Sequence, residues 1–425
     1  MKDSFGLTLT TSSAEAAEAY CRAVDKFLAY DGGVVEAFQR AIDLDEELAL
    51  AHVGLARYHQ VRGNREAIAA PLARAGELAD QVSDRERSHI GIFALMLSGK
   101  GADALIALRA HLQQWPRDAM VAQSGCGVFG LIGFSGAPGR EAEQLAYTTS
   151  LLPHCGEDWW FMAQHGFAQL EVGQLAKAEV SLEKARAGNP RSANTAHILA
   201  HLYYEEADAN AGRAYLKDWM PDYPEDGLMY CHIAWHQALW ALEEGDLETM
   251  WAQVDRNIAS GTKGPPLNVL TDTAAILFRA ELAGVDVPAE RWQSTSAYAL
   301  QHFPKPMIGF ADVHAALAHA MAGDTDALHV IAEGAVGPAR DLVRELALSF
   351  GDMARKNWSG AEAKLLGVMA DHARIGGSKA QRDLVEFALA AAMIRQGRAQ
   401  EARSLLQMHR PKTTPLNAIA GLQTS

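Results

Sequence analysis

The chain has 425 residues, of which 49% are hydrophobic and 21% charged, with a formal net charge of −14. That balance is ordinary for a folded chain of this length, and it excludes neither one elongated domain nor several compact ones. The acidic excess and the lack of a long basic run argue against a nucleic-acid or anionic-membrane partner, since such binding relies on clustered Lys and Arg. Cys21, Cys126, Cys155 and Cys231 are far apart with no CxxC spacing, so neither a disulfide framework nor a zinc finger is expected. The start, "MKDSFGLTLTTSSAEAAEAY", has no basic segment followed by an apolar core, and no apolar run reaches the ~18 residues of a membrane span. The expectation is a cytoplasmic protein with no membrane partner.

Taken in chain order, the elements repeat. Phe38 and Ala41 in "VVEAFQRAIDLD" mark the core of a second helix of a pair, and "GNREAIAAPLARA" opens another. In "GKGADALIALRAHLQQWP", Gly99, Ala104, Leu108 and Pro116 keep the offsets of a tetratricopeptide repeat, with His111 where a small residue is expected. The clearest copy is "HGFAQLEVGQLAKAEVSLEKARAGNP", where Gly166, Gly173, Ala178, Leu182, Ala185 and Pro190 fall in register. Small residues let antiparallel helices approach, and Pro ends the second one. "GDLETMWAQV", "GDTDALHVIA", "NWSGAEAKLL" and "GRAQEARSLL" each read as a hairpin turn entering a second helix. The fold class expected is all-α: a right-handed tetratricopeptide-like solenoid of about eight antiparallel helix pairs with a concave central groove, a single domain over 1–425. "GTKGPPLNVL" and "LQHFPKPMIGF" read as loops between pairs, and residues 410–425 as a terminal cap or tail.

Histidines recur at the same period. "TAHILAHLYYEE" places His197 and His201 four apart, and "YCHIAWHQALWALEEG" places His232 and His236 four apart, thirty-five residues later. Residues four apart share one helix face, and a step of one repeat carries a side chain to the equivalent place on the next first helix. Following the column gives His165 one repeat earlier, Asp272 one later, Asp312 with His314 after that, and then Gln381, Arg382, Asp383 and Glu386. Trp159, Trp160, Trp235 and Trp240 lie on or beside the histidine-bearing segments. His89, His302, His319, His329 and His409 lie outside the column and read as ordinary core or surface residues.

Such a stripe of titratable groups is a candidate site. His201 and His236 are the expected acid and base, with His197 and His232 beside them and Asp272 and Asp312 as orienting carboxylates. Arg382 is expected to hold an anionic group of a small-molecule ligand, with Asp383, Gln381, His314, His165 and Trp235 completing the binding surface. Glycine-rich nucleotide loops are absent, so no organic cofactor is expected. Metal is the less favoured alternative: His201, His236 and an Asp would supply a mononuclear zinc site across helices, but "HILAHLYYE" lacks the Glu that the zincin pattern places after its first His. In "GGSKAQRD", Ser378 and Gln381 also have capping-box spacing, which needs no ligand.

These residues carry a family resemblance. "GLTLTTSSAEA", "RERSHI", "WWFMAQHGFAQLEVG", "AHILAHLYYE", "CHIAWHQALWALEEGD", "FADVHA" and "IGGSKAQRDLVEFALAAA" together resemble the tetratricopeptide repeat protein 38 family, in order from residue 6 to about 410. The resemblance implies one tetratricopeptide superhelix, with His at 197, 201, 232, 236 and 314, Asp at 272 and 312, and Gln-Arg-Asp at 381–383. The sequence departs from that pattern at Ile233 and Ala234, where the family tends to have a polar and an aromatic residue. The preferred functional expectation is a cofactor-independent hydrolase, lyase or isomerase acting on a small molecule. The alternative is a scaffold that holds a peptide or partner protein in the same groove. A homo-oligomer is compatible with either.

Overall fold

The computed structural model describes residues 1–410, 412 and 418–422. These form 22 α-helices, and among the described residues there is no strand, only an isolated antiparallel bridge between Lys2 and Thr8. Taken two at a time the helices make eleven successive pairs, more than the eight the sequence repeats suggest, because the degenerate copies carry too few small-residue signals to be counted. The contacts group the chain into two units: Met1–Ser135, Glu141–Ile198 and Asp222–Met229 in the first, and Gly136–Arg140, Leu199–Pro221 and Tyr230–Ser425 in the second. None of the helices among the described residues is long and apolar enough to cross a membrane.

The helices of the first unit are α1 (Ala14–Ala29), α2 (Val34–Leu44), α3 (Ala49–Val61), α4 (Ala69–Leu78), α5 (Asp84–Leu97), α6 (Gly101–Gln114), α7 (Ala119–Gly125), α8 (Arg140–Cys155), α9 (Trp159–Glu171) and α10 (Leu175–Gly188). Each packs against its neighbour along the chain as the repeat requires. A Cβ on Gly166 of α9 would stand 3.0 Å from Leu182 Cγ of α10, so the glycine is what permits that close crossing. Gly54 of α3 does the same against Phe38 of α2. Ala178, Leu182 and Ala185 are buried as their offsets imply. α5 begins at a capping box in which Ser83 and Glu86 satisfy one another's backbone N–H groups.

α11 (Ala193–Glu205) is unbroken, and the division between the units falls within it, after Ile198. The second unit continues with α12 (Ala209–Trp219), α13 (Tyr230–Glu244), α14 (Leu247–Gln253), α15 (Pro266–Leu282), α16 (Ala289–His302), α17 (Gly309–Ala322), α18 (Thr325–Gly334), α19 (Arg340–Ala354), α20 (Trp358–Val368), α21 (Lys379–Arg395) and α22 (Ala399–His409). The first helices of successive pairs stack α13 on α15, α15 on α17 and α17 on α19, the arrangement of an α-solenoid. α15 also touches α21, with the Arg279 guanidinium 5.0 Å from the Phe387 ring. The inner face of this unit therefore closes on itself, and its side chains are buried.

The expected loops are where the sequence puts them: "GTKGPP" leads into α15 with Pro266 in its first turn, where a missing N–H costs nothing, and "FPKPMI" separates α16 from α17. Of the expected terminal cap, residues 411, 413–417 and 423–425 lie outside the described residues. The described part packs on the second unit: Ala420 N–H donates to Leu282 O at 2.7 Å, and Ile419 and Leu422 are buried.

Candidate functional site

Histidines of the second unit converge. His201 on α11, and His232 and His236 one turn apart on α13, each bring one ligand atom to within 4.8 Å of the other two. The His201 and His236 rings meet edge to face at 4.4 Å between centroids, and His232 stands 5.2 Å from His236 and 6.0 Å from His201. His201 is 1% exposed and His236 0%. Burial, and the neighbouring His232, hold His201 well below the ordinary imidazole range, so that ring is neutral.

Asp272 reaches this cluster from α15. Its Oδ2 is 2.8 Å from His232 Nδ1, and its Oδ1, buried with the rest of the side chain, meets no hydrogen-bond partner of ordinary geometry among the described residues. Burial raises the Asp272 carboxyl while His232 opposes that rise. With the carboxylate as acceptor, His232 Nδ1–H is the donor of that bond. Cys231 Sγ lies 3.9 Å from the same carboxylate oxygen; burial and Asp272 push its thiol well above the usual range, so it is protonated and not a thiolate ligand. Trp235 stacks on His232 at 5.1 Å and 12°, walling the cluster with an apolar face.

The other expected site residues are placed elsewhere. Asp312 accepts from Met307 N–H at 3.1 Å at the start of α17, and burial pushes its carboxyl up to about 7. His314 bonds through Nδ1 to Phe310 O at 2.7 Å, and burial pushes its imidazole down to about 4. His165 lies in the first unit, between Thr148 Oγ1 at 3.0 Å and Gln169 Nε2 at 3.1 Å. Gln381 closes the capping box of α21 with Ser378, as its spacing requires. Arg382 Nη1 donates to Gly377 O at 2.5 Å, a carbonyl that also accepts from Arg140 Nη2 at 2.6 Å. That guanidinium thus fixes the loop before α21.

Asp383 is the centre of a second buried polar group. It accepts from Tyr204 Oη at 2.8 Å and is paired with Arg410, with Arg279 Nη2 at 3.9 Å. Glu386 and Glu205 also engage Arg410, at 3.2 and 3.5 Å, and Lys379 pairs with Glu205 at 2.9 Å. Arg279 links the two groups: it lies on α15 two turns beyond Asp272, and its guanidinium stands 5.9 Å from the Trp235 ring. Sequence reasoning missed Arg279, Tyr204 and Arg410. Arg279 had a signal, since it is a charge on the apolar run of "TDTAAILFRAELAG"; Arg410, beyond the last repeat, had none.

No family model matches the chain. Among solved structures it is similar to the crystal structure of yeast Tom70, at 13% identity and a TM-score of 0.37, covering 95% of this chain and 93% of that one. It is also similar to the human IFIT1 dimer with PPP-AAAA, at 13% identity and a TM-score of 0.45, covering 98% and 95%. Likeness at that level says nothing of what this chain binds.

Proposed function

We propose that this helical-repeat protein binds one transition-metal ion through the imidazoles of His201, His232 and His236. The observation that carries the reading is the combination of three converging histidine donors with Asp272 on Nδ1 of one of them. A ligating His ordinarily gives its other ring N–H to a carboxylate, which fixes the tautomer and raises ligand basicity. Zinc–imidazole bonds of about 2.0–2.1 Å put tetrahedral donors about 3.3 Å apart, so donors within 4.8 Å need only small side-chain adjustments to close on an ion. An all-imidazole set suits Zn, Cu, Ni or Co and not Mg or Ca. With three imidazoles from two helices, the ion ties α11 to α13 and keeps a fourth position for water or a small ligand.

This departs from the cofactor-free expectation. Acid–base catalysis by His201 and His236 is favoured by one observation, the Asp272–His232 pair, which has the geometry of an orienter and a base. It also requires a substrate to reach rings that touch each other and are 0–1% exposed, whereas an ion requires only the space among three nitrogens. A peptide held along the column meets the same obstacle. The resemblance to the tetratricopeptide repeat protein 38 family supports the same histidine and aspartate positions without choosing among these roles.

The test is elemental analysis of full-length protein, purified without chelator and without an affinity tag that binds metal. About one Zn, Cu, Ni or Co per chain is expected, falling to background in His201→Ala/His236→Ala. Folded protein that remains metal-free after dialysis against each of these ions rules the centre out.

A further inference from the structure

The first unit holds a separate cluster, built around Asp118 at the N-cap of α7. Arg85 Nη1 reaches Asp118 Oδ2 at 2.8 Å, His89 Nδ1 at 3.0 Å and His111 Nε2 at 3.2 Å. Burial alone would raise this carboxyl, but His89, His111 and Arg85 outweigh it and hold it well below the usual range, so Asp118 is an ionised acceptor. His111 is the residue that stands where the repeat expects a small one, and "RERSHI" supplies Arg85, Ser88 and His89; the metal centre uses none of them.

The tautomer follows from the partners. A carboxylate only accepts, so the His111 nitrogen facing it, Nε2, carries the hydrogen, and the tautomer that accepts a further bond does so on Nδ1. Ser88 Oγ lies 2.9 Å from that Nδ1 and is therefore the donor. Serine, imidazole and carboxylate stand in the order nucleophile, base, orienter. The ring nitrogens are used in the reverse of the familiar triad, where serine meets Nε2. Access is provided on α5 itself: Ser88 is half-buried, while Gly91, on the same face one turn on, is exposed, and a Cβ there would meet nothing within 4 Å.

We propose that Ser88, His111 and Asp118 form an activated-serine site that takes carboxylic-ester electrophiles at the surface of α5. Ser88 Oγ bonds to the ester carbonyl carbon as its proton passes to His111 Nδ1. The C–O bond to the leaving alkoxide then breaks, and the alkoxide takes that proton, leaving an acyl-serine. Asp118 is a positioning residue: it holds the ring and stabilises the imidazolium.

A fluorophosphonate probe reads the same chemistry, with a P–O bond forming to Ser88 Oγ, fluoride leaving, and the proton going to His111. Full-length protein incubated with the probe should gain one adduct, mapped to Ser88 by peptide mass and absent in Ser88→Ala. In His111→Gln, checked for folding by circular dichroism, labelling should slow at least tenfold. Because that variant can fail to fold, Ser88→Cys is treated with iodoacetamide: beside His111 the introduced thiol should alkylate at least tenfold faster than Cys21. Folded protein with no adduct on Ser88, labelling unaffected by His111→Gln, or a thiol at 88 no faster than Cys21 reduces the contact to a bond between α5 and α6 and overturns the proposal.

Discussion

His232 Nδ1 and Asp272 Oδ2 are 2.8 Å apart, joined across α13 and α15 in surroundings from which water is excluded. On the proposed reading the carboxylate would contribute no bond to the ion, and its hold on Nδ1 would leave Nε2 as the ligating nitrogen of His232. Asp272→Asn keeps the volume but replaces a pure acceptor with an amide that can turn either its oxygen or its NH2 to the ring, so the tautomer is no longer imposed. Metal affinity should fall about 10–100-fold, the usual effect of losing such a partner. Competition of the purified variant against a chromophoric chelator measures this, with His201→Ala as the reference for loss of a direct ligand. Unchanged affinity would mean Asp272 is only a packing partner.

Asp383 gives the opposite signature. It is 0% exposed, paired with Arg410 and bonded to Tyr204, so Asp383→Ala removes the acceptor of a buried hydroxyl and one of the three carboxylates around Arg410. Leaving a buried donor without its acceptor costs about 1–3 kcal/mol, and Glu386 and Glu205 stay on Arg410. Urea unfolding should show a loss of that size, while metal stoichiometry in the folded fraction stays at the wild-type value. A stability change under about 1 kcal/mol, joined to loss of binding to some anionic ligand, would instead return Asp383 to the binding role expected of it from sequence.

How far the sequence reached is clearest at these two groups. The thirty-five-residue step from His201 to His236 equals one helix pair, so the meeting of these two rings was legible without coordinates. From His232 the step to Asp272 is forty, because "GTKGPP" lengthens the connection, and Asp272 meets the end of the cluster at His232. Another forty residues lead to Asp312, whose carboxylate turns back to Met307 N–H; a column drawn by counting cannot see that local alternative. Arg279 and Arg410 find Asp383 only because α15 touches α21 and the chain returns past α22, contacts that no period encodes.

The motif "IGGSKAQRD" tests the same distinction between loop and ligand. Gly377 has φ +76°, and a Cβ there would stand 2.3 Å from Phe310 Cε2, while its carbonyl receives both Arg140 and Arg382. Gly377→Ala therefore meets backbone strain and overpacking together, each worth about 1–3 kcal/mol. Thermal melting should drop by several degrees. Arg382→Lys, which cannot reproduce the planar donor set, should lower it by less. A Gly377→Ala variant as stable as the parent would show that the loop relaxes freely and that its conformation has some other basis.

Two neighbours on α17 respond to pH in opposite senses. Asp312 rises on folding to about 7 from an unfolded value near 3.8, so its contribution is fully present below the unfolded value and is lost as pH rises through 7. His314 falls to about 4 from about 6.5, so its contribution is present above 6.5 and is lost as pH falls through 4. At about 1.4 kcal/mol per pH unit, the Asp312 effect amounts to about 4 kcal/mol at most between pH 4 and pH 8. Asp312→Asn retains an acceptor for Met307 N–H but has no charge to bury. Its stability relative to the parent should therefore climb from pH 4 to pH 7 and level off above, with the His314 contribution cancelling because both proteins share it. Melting curves of the two proteins across that range decide the point: a difference independent of pH would mean that the Asp312 carboxylate is ionised in the folded protein throughout, stabilised by the two N–H contacts to its oxygens in spite of burial.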